Sequence, residues 1–207
     1  MLIAIEGIDG AGKTTQAKKL VRWLMTNGIN ACYTSEPTNS PFGRLIKKRL
    51  RTGDSDHRVD ALLFAADRIE HYYRYIKPRL DRGYVVVTDR YVYSSIAYQG
   101  ALTGEIDWVK AINKWVPPPD IAIYVDVSPE VGLRRLSGRK MTRKTKYERI
   151  ETLARVRELY QKMCMEGLLI SIDGEQTVEE VQENIKKVTI DALLRAGIFE
   201  TDTAGRR

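Results

Sequence analysis

The chain has 207 residues, 34 Lys and Arg against 27 Asp and Glu, a formal charge of +7, and 43% hydrophobic content. At roughly 100 to 200 residues per domain this predicts one domain with enough apolar material for a core, which excludes disorder as its whole description. The longest apolar stretches, such as Leu2 to Ile5 and Tyr84 to Val87, fall far short of the roughly 20 residues a membrane span needs. No membrane association is expected. Met1 leads straight into a strand-like segment without a secretory pattern, and Cys32 and Cys164 give no disulfide framework, so a cytoplasmic setting is expected. The positive charge suits either nucleic acid or small phosphorylated ligands.

In chain order, β-rich runs are predicted at Leu2 to Ile5, Asn30 to Thr34, Tyr84 to Thr88, Ile121 to Val125 and Leu168 to Ile172. Each is followed by a segment that can be helical, the alternation of a parallel sheet with helices on both faces. Ser128 before Pro129 predicts a helix start with proline at its first position, and Thr177 with Glu180 has capping-box spacing. Val178, Val181, Ile185, Val188 and Ala192 then predict one buried stripe on the last long helix. No repeat or linker divides the chain. The expected domain is 1–200, with 201–207 a frayed tail because it lacks an apolar anchor.

Between the first strand and first helix lies Gly7-Ile8-Asp9-Gly10-Ala11-Gly12-Lys13-Thr14-Thr15, which has phosphate-loop spacing. The glycines let backbone N–H groups curl around an anion, Lys13 adds a charge for β and γ phosphates, and Thr14 offers a hydroxyl to Mg²⁺. Such a loop identifies a nucleotide site and leaves the reaction open. A guanine switch would need Asn-Lys-x-Asp, whereas Asn113-Lys114 is followed by Trp115-Val116.

The strand Tyr84 to Thr88 delivers Asp89-Arg90-Tyr91, then Ser94, Ser95, Ala97, Tyr98 and Gln99. An acid at the end of a buried strand beside a phosphate loop suits Mg²⁺ or its water, and an adjacent Arg suits a second phosphate through its bidentate fork. The competing possibility is that Asp89 and Arg90 pair with each other.

With Glu36-Pro37, Phe64-Ala65-Ala66-Asp67-Arg68, Pro119-Asp120 and Asp126-Val127-Ser128-Pro129-Glu130-Val131-Gly132-Leu133, these motifs resemble thymidylate kinase from Met1 to about Gly174. The resemblance implies a doubly wound phosphate-loop NTPase fold with a five-stranded parallel sheet, transfer of the γ-phosphoryl group of MgATP to dTMP, and a homodimer. It implies catalytic roles for Lys13 and Arg90, ATP contacts from Gly7 to Thr15, and Mg²⁺ at Thr14 and Asp89. For dTMP it implies Asp9 near the sugar or acceptor, Phe64 stacked on the base, Arg68 on its 4-carbonyl, Ser95 near the base, Tyr98 against the sugar, and Arg90 with Lys47 at the phosphate. Phe64 and Arg68 stand four apart, on one face of a predicted helix.

Arg134 to Arg149 carries eight basic residues and one acid, and Arg44 to Arg51 contributes five more positive charges. Such a run is ordinarily a solvated face or an RNA-binding patch. Within the resemblance its position is that of a lid, about 138–147, closing over ATP. Gly10 stands where some relatives carry a phosphate-loop Arg, so Arg143 and Arg139 are the candidate catalytic cations. Two departures are present: the lid ends Thr145-Lys146-Tyr147-Glu148 where Asp-Arg-Phe/Tyr-Glu is common, and Ser35 precedes Glu36 where Arg is common. The rival readings are another nucleotide kinase and a nucleic-acid-binding ATPase; neither nucleic acid nor membrane is the expected partner.

Overall fold

The computed structural model describes residues 1–52, 56–137 and 150–198. Five strands, β1 (Leu2–Glu6), β2 (Ala31–Ser35), β3 (Val85–Asp89), β4 (Ile121–Asp126) and β5 (Ile170–Asp173), form one sheet in the order β2-β3-β1-β4-β5. Every pairing is parallel. The helices are α1 (Lys13–Thr26), α2 (Pro41–Thr52), α3 (His57–His71), α4 (Lys77–Leu80), α5 (Val92–Thr103), α6 (Ile106–Ile112), α7 (Pro129–Ser137), α8 (Ile150–Met165) and α9 (Val178–Arg195). This is the expected five-stranded parallel α/β fold.

Sequence explains the layering. The central strands β1, β3 and β4 are apolar almost throughout and buried, as strands covered on both faces must be. Helix α1 packs with α9, whereas α5 packs with α3, α6 and α8. The chain leaves β1 towards β2 and leaves β3 across β1 towards β4. The strand order therefore reverses between β1 and β3, and the crevice at their carboxyl ends is where an open α/β sheet binds ligands.

All five strands end one residue further than expected, at Glu6, Ser35, Asp89, Asp126 and Asp173. Polar residues end an apolar run in sequence, but their backbones stay in the ladder: Ser35 is level with Asp89, and Asp126 with Asp173. The last strand starts later than expected, at Ile170, because Gly167 (φ 74°) and Leu168 close the end of α8, with Leu168 N–H donating to Met163 O. The capping box at Thr177 and Glu180 is present in both directions. Val181, Ile185 and Ala192 are buried and Val188 packs on the core, but Val178 is 44% exposed. As the first helical residue it faces a cleft, and its carbonyl accepts from Gln16 Nε2 at 3.0 Å.

Between α3 and α4, residues Tyr72–Ile76 form a π-helical turn. Pro78 follows within the next turn; it has no N–H and its ring crowds the carbonyl four residues back. The widened turn accommodates it and lets His57 to Leu80 continue as one helical run carrying Phe64 and Arg68.

Candidate active site

At the carboxyl end of β1 the chain turns through Gly7 (φ 149°), Gly10 (φ 84°) and Gly12 (φ 94°) into α1. The turn forms because these positions lack a side chain. A Cβ on Gly10 would lie 2.1 Å from the Gly132 carbonyl oxygen, and one on Gly132 would lie 2.6 Å from the Asp9 oxygen. The loop is thus seated directly on the backbone of α7. Asp9 through Thr15 line a cleft of about 650 Å³, together with Tyr33, Ser35, Glu36, Lys47, Asp89, Arg90 and Arg135. Gly7 and Ile8 lie beneath it, buried.

Lys13 is 6% exposed and donates from Nζ to Ile8 O at 2.7 Å, folding back over the loop. Burial, reinforced by Arg90, lowers its pKa from 10.5 to about 8. Thr14 Oγ1 donates to Asp89 Oδ2. Asp89 and Arg90 therefore do not pair with each other. Arg90 adopts a left-handed backbone (φ 73°), its N–H bonds to Ile5 O at 3.0 Å, and its guanidinium meets Asp9, the Gly7 carbonyl (3.3 Å) and Ser94 Oγ (3.2 Å). A non-glycine residue at such a φ is strained and persists only where its surroundings fix it. Tyr98 completes this corner: its hydroxyl accepts the Asp9 N–H at 2.9 Å, and Arg90 lies 4.9 Å over its ring.

A second cluster holds Arg68. Its side chain is 1% exposed. It donates from Nε and Nη2 to Glu36 Oε2 (2.9 and 2.7 Å), and from Nη1 to Ser95 Oγ (2.9 Å) and Asn113 Oδ1 (2.5 Å). Glu36 Oε1 also contacts His71 Nδ1 at 3.0 Å, and His71 Nε2 lies 2.7 Å from Thr34 Oγ1. Phe64, four residues before Arg68 on the same helix, is half-buried and outside the cleft lining. Lys47 lines the cleft and donates to Asn39 Oδ1 at 2.7 Å. Arg139 and Arg143 lie outside the described residues, as do the segment 138–147 and the tail 201–207.

Sequence reasoning gave no role to Glu6, His71, Asn113 or Arg135. Asn113 entered only as half of an absent guanine motif, yet it ends α6 against Arg68 and is 3% exposed. Arg135 was one of a run of cations; in the fold its Nη2 donates to Gly174 O at 2.9 Å on the cleft wall. Glu6 carried one legible signal, a carboxylate at the end of an apolar strand that burial would oblige to find donors.

The chemistry of this cleft is that of phosphate binding: a glycine loop at a helix N-terminus, a buried lysine, and a hydroxyl and carboxylate facing each other. A sequence model of thymidylate kinase matches residues 5–185. The chain belongs to the thymidylate kinase family. Among curated relatives, a probable thymidylate kinase of Pyrobaculum calidifontis is 46% identical over 195 residues, covering 93% of this chain and 97% of the relative. One of Staphylothermus marinus is 41% identical over 192 residues, covering 93% and 96%. One of Thermococcus gammatolerans is 39% identical over 196 residues, covering 89% and 93%. The cleft lining of this thymidylate kinase family member brings Val178 and Val181 of α9, with Gln16 bonded to Val178, together with the paired Asp9 and Arg90 and with Lys47.

Among the described residues no group of three or more His, Cys, Asp or Glu is placed to hold a metal ion. The Thr14 hydroxyl and Asp89 carboxylate nevertheless fit Mg²⁺. That ion takes oxygen ligands, keeps several waters and typically uses one or two protein groups alongside substrate phosphates. No described helix is long and apolar enough to cross a membrane.

Proposed function

We propose that this protein transfers the γ-phosphoryl group of ATP to the phosphate of dTMP, giving ADP and dTDP on the way to dTTP. The observation that carries this reading is that the phosphate loop and Arg90 share one cleft in a chain of the thymidylate kinase family. ATP phosphates lie along the N–H groups of Asp9 to Thr15, with Lys13 swinging from Ile8 O to the β and γ oxygens. Thr14 and Asp89 hold Mg²⁺, which when bound neutralises charge on the donor phosphates. Arg90 grips the acceptor phosphate with help from Lys47, while Asp9 and Tyr98 border the sugar. Phe64 stacks on the base and Ser95 borders it. One Nη2 N–H of Arg68, beyond its four contacts to Glu36, Ser95 and Asn113, serves the base carbonyl. Arg143, with Arg139, supplies positive charge to the transferring group. Transfer is direct: the acceptor oxygen forms a bond to the γ phosphorus as the bond to the β,γ-bridging oxygen breaks, and ADP leaves with that electron pair.

The protein acts in the cytoplasm as a homodimer. Val59 and Leu62, 42% and 51% exposed on the helix that carries Arg68, support a subunit interface there. Light scattering coupled to gel filtration reads the oligomeric state. For activity, the purified protein is given MgATP and, separately, dTMP, dUMP, UMP, CMP and AMP, with ADP release followed by a coupled assay. Release with dTMP is expected. Turnover of AMP, CMP or UMP without dTMP overturns the acceptor assignment, and ATP hydrolysis stimulated by nucleic acid without acceptor phosphorylation favours the nucleic-acid-binding ATPase.

A further inference from the structure

Behind Arg90 lies a carboxylate to which phosphoryl transfer assigns no direct part. Glu6 closes β1 and is fully buried. Three donors converge on it: the Tyr91 N–H on Oε1 at 2.9 Å, the Ser94 hydroxyl on Oε2 at 2.5 Å and the Tyr160 hydroxyl on Oε2 at 3.0 Å. Burial raises its pKa, and Ser94, Arg90 and Tyr160 pull it back. Ser94 and Tyr160 hydroxyls stand 3.0 Å apart, so the three side chains form one cluster.

Ser94 connects this cluster to the cleft. Its single proton goes to Glu6, which leaves its oxygen lone pairs facing Arg90 Nη1 at 3.2 Å. Were that proton free to rotate, Ser94 would present a donor to a cation as readily as an acceptor. Tyr160 is fixed in turn. Its ring stacks on Tyr124 with centroids 4.7 Å apart, the Tyr124 hydroxyl bonds to Asp126 at 2.8 Å, and Asp126 holds Arg157 of α8 through contacts of 2.7 and 3.1 Å. Arg90 itself carries a strained backbone that needs such support.

We propose that Glu6, acting through Ser94 and Tyr160, is a positioning group that orients Arg90 for the acceptor phosphate before the nucleotide arrives. This rests on the assignment of Arg90 to the dTMP phosphate. A carboxylate that merely satisfied the Tyr91 turn would support base, sugar and phosphate binding alike. One that orients Arg90 acts on the phosphate alone.

The test compares dTMP with thymidine, which has the same base and sugar and no phosphate. Dissociation constants for both are measured by calorimetry on Tyr160→Phe, Ser94→Ala, Glu6→Gln and, as reference, Arg90→Ala, each with a thermal melt. Each of the first three is expected to weaken dTMP by about tenfold while thymidine changes by less than about twofold, with kcat/KM for dTMP falling in step. Equal losses for the two ligands, or unchanged dTMP affinity in Tyr160→Phe and Ser94→Ala, overturn the positioning role. If Arg90→Ala is selective for dTMP and the other variants are not, the positioning claim alone falls. If Arg90→Ala weakens both ligands equally, the acceptor assignment falls and takes the proposal with it.

Discussion

Replacing Lys13 by Met should stabilise the nucleotide-free protein while abolishing transfer. The ammonium is 6% exposed, and burial with Arg90 nearby lowers its pKa from 10.5 to about 8. The folded state therefore binds this proton less tightly than the unfolded chain, so holding Lys13 charged opposes folding below pH 8. At about 1.4 kcal/mol per pH unit, that opposition is worth about 3 kcal/mol at neutral pH. Between pH 8 and 10.5 the unfolded chain carries more of the proton, so wild-type stability rises through that window and the opposition disappears. Methionine has similar reach and no charge, and the Ile8 carbonyl it abandons still accepts the Ala11 N–H at 3.2 Å. Urea unfolding of both proteins in EDTA, at intervals from pH 7 to 10.5, should show Lys13→Met the more stable at pH 7 and the two converging by pH 10.5. A variant less stable than wild type at pH 7, or a difference that does not change with pH, refutes the reasoning.

Glu36→Gln leaves Arg68 buried with its counter-charge gone, and should cost about 3–5 kcal/mol in urea unfolding. Adding Arg68→Met to that variant should recover much of the loss, because the orphaned charge goes with it. Gly10→Ala and Gly28→Ala place the same methyl at similar φ, 84° and 77°, but only the first meets the Gly132 carbonyl, at 2.1 Å against nothing within 4 Å. Gly28→Ala should therefore cost about 1–2 kcal/mol and leave turnover intact. Gly10→Ala should shift the loop as well and lower kcat at least about tenfold, as displaced catalytic groups do.

The features legible in the sequence are those set by local chemistry. The phosphate loop, the capping box and the strand alternation each need only a few consecutive residues, and each is present where the spacing predicts it. Asn113, by contrast, is far in sequence from Arg68, and nothing in its own neighbourhood marks it; only the packing of α6 against α3 brings the amide to the guanidinium. Glu36 entered only as half of a Glu36-Pro37 pair within the resemblance, and its bridging of Arg68 to His71 depends on α3 passing the end of β2. Val178 failed in the opposite way. Its spacing belongs to the buried stripe, but the helix begins there and the core covers it only from Val181 on. Periodicity reports which face a residue occupies and is blind to how far the neighbouring layer extends.

The basic charge that left the sequence reading open is unevenly used. In the Arg44 to Arg51 segment, Arg49 pairs with Asp60 at 2.9 Å and Arg44 donates to the Asn39 carbonyl, so Lys47 is the one of the five that lines the large cleft. The cleft's described lining holds four cations, Lys13, Lys47, Arg90 and Arg135, against three carboxylates, Asp9, Glu36 and Asp89. Glu36 is balanced by Arg68 behind it and Asp9 is paired with Arg90. Two phosphorylated nucleotides bring several negative charges into this nearly neutral space, and phosphoryl transfer concentrates that charge between them. The described residues alone do not neutralise it. That deficit supports assigning Mg²⁺ to Thr14 and Asp89, and a catalytic part to Arg139 and Arg143.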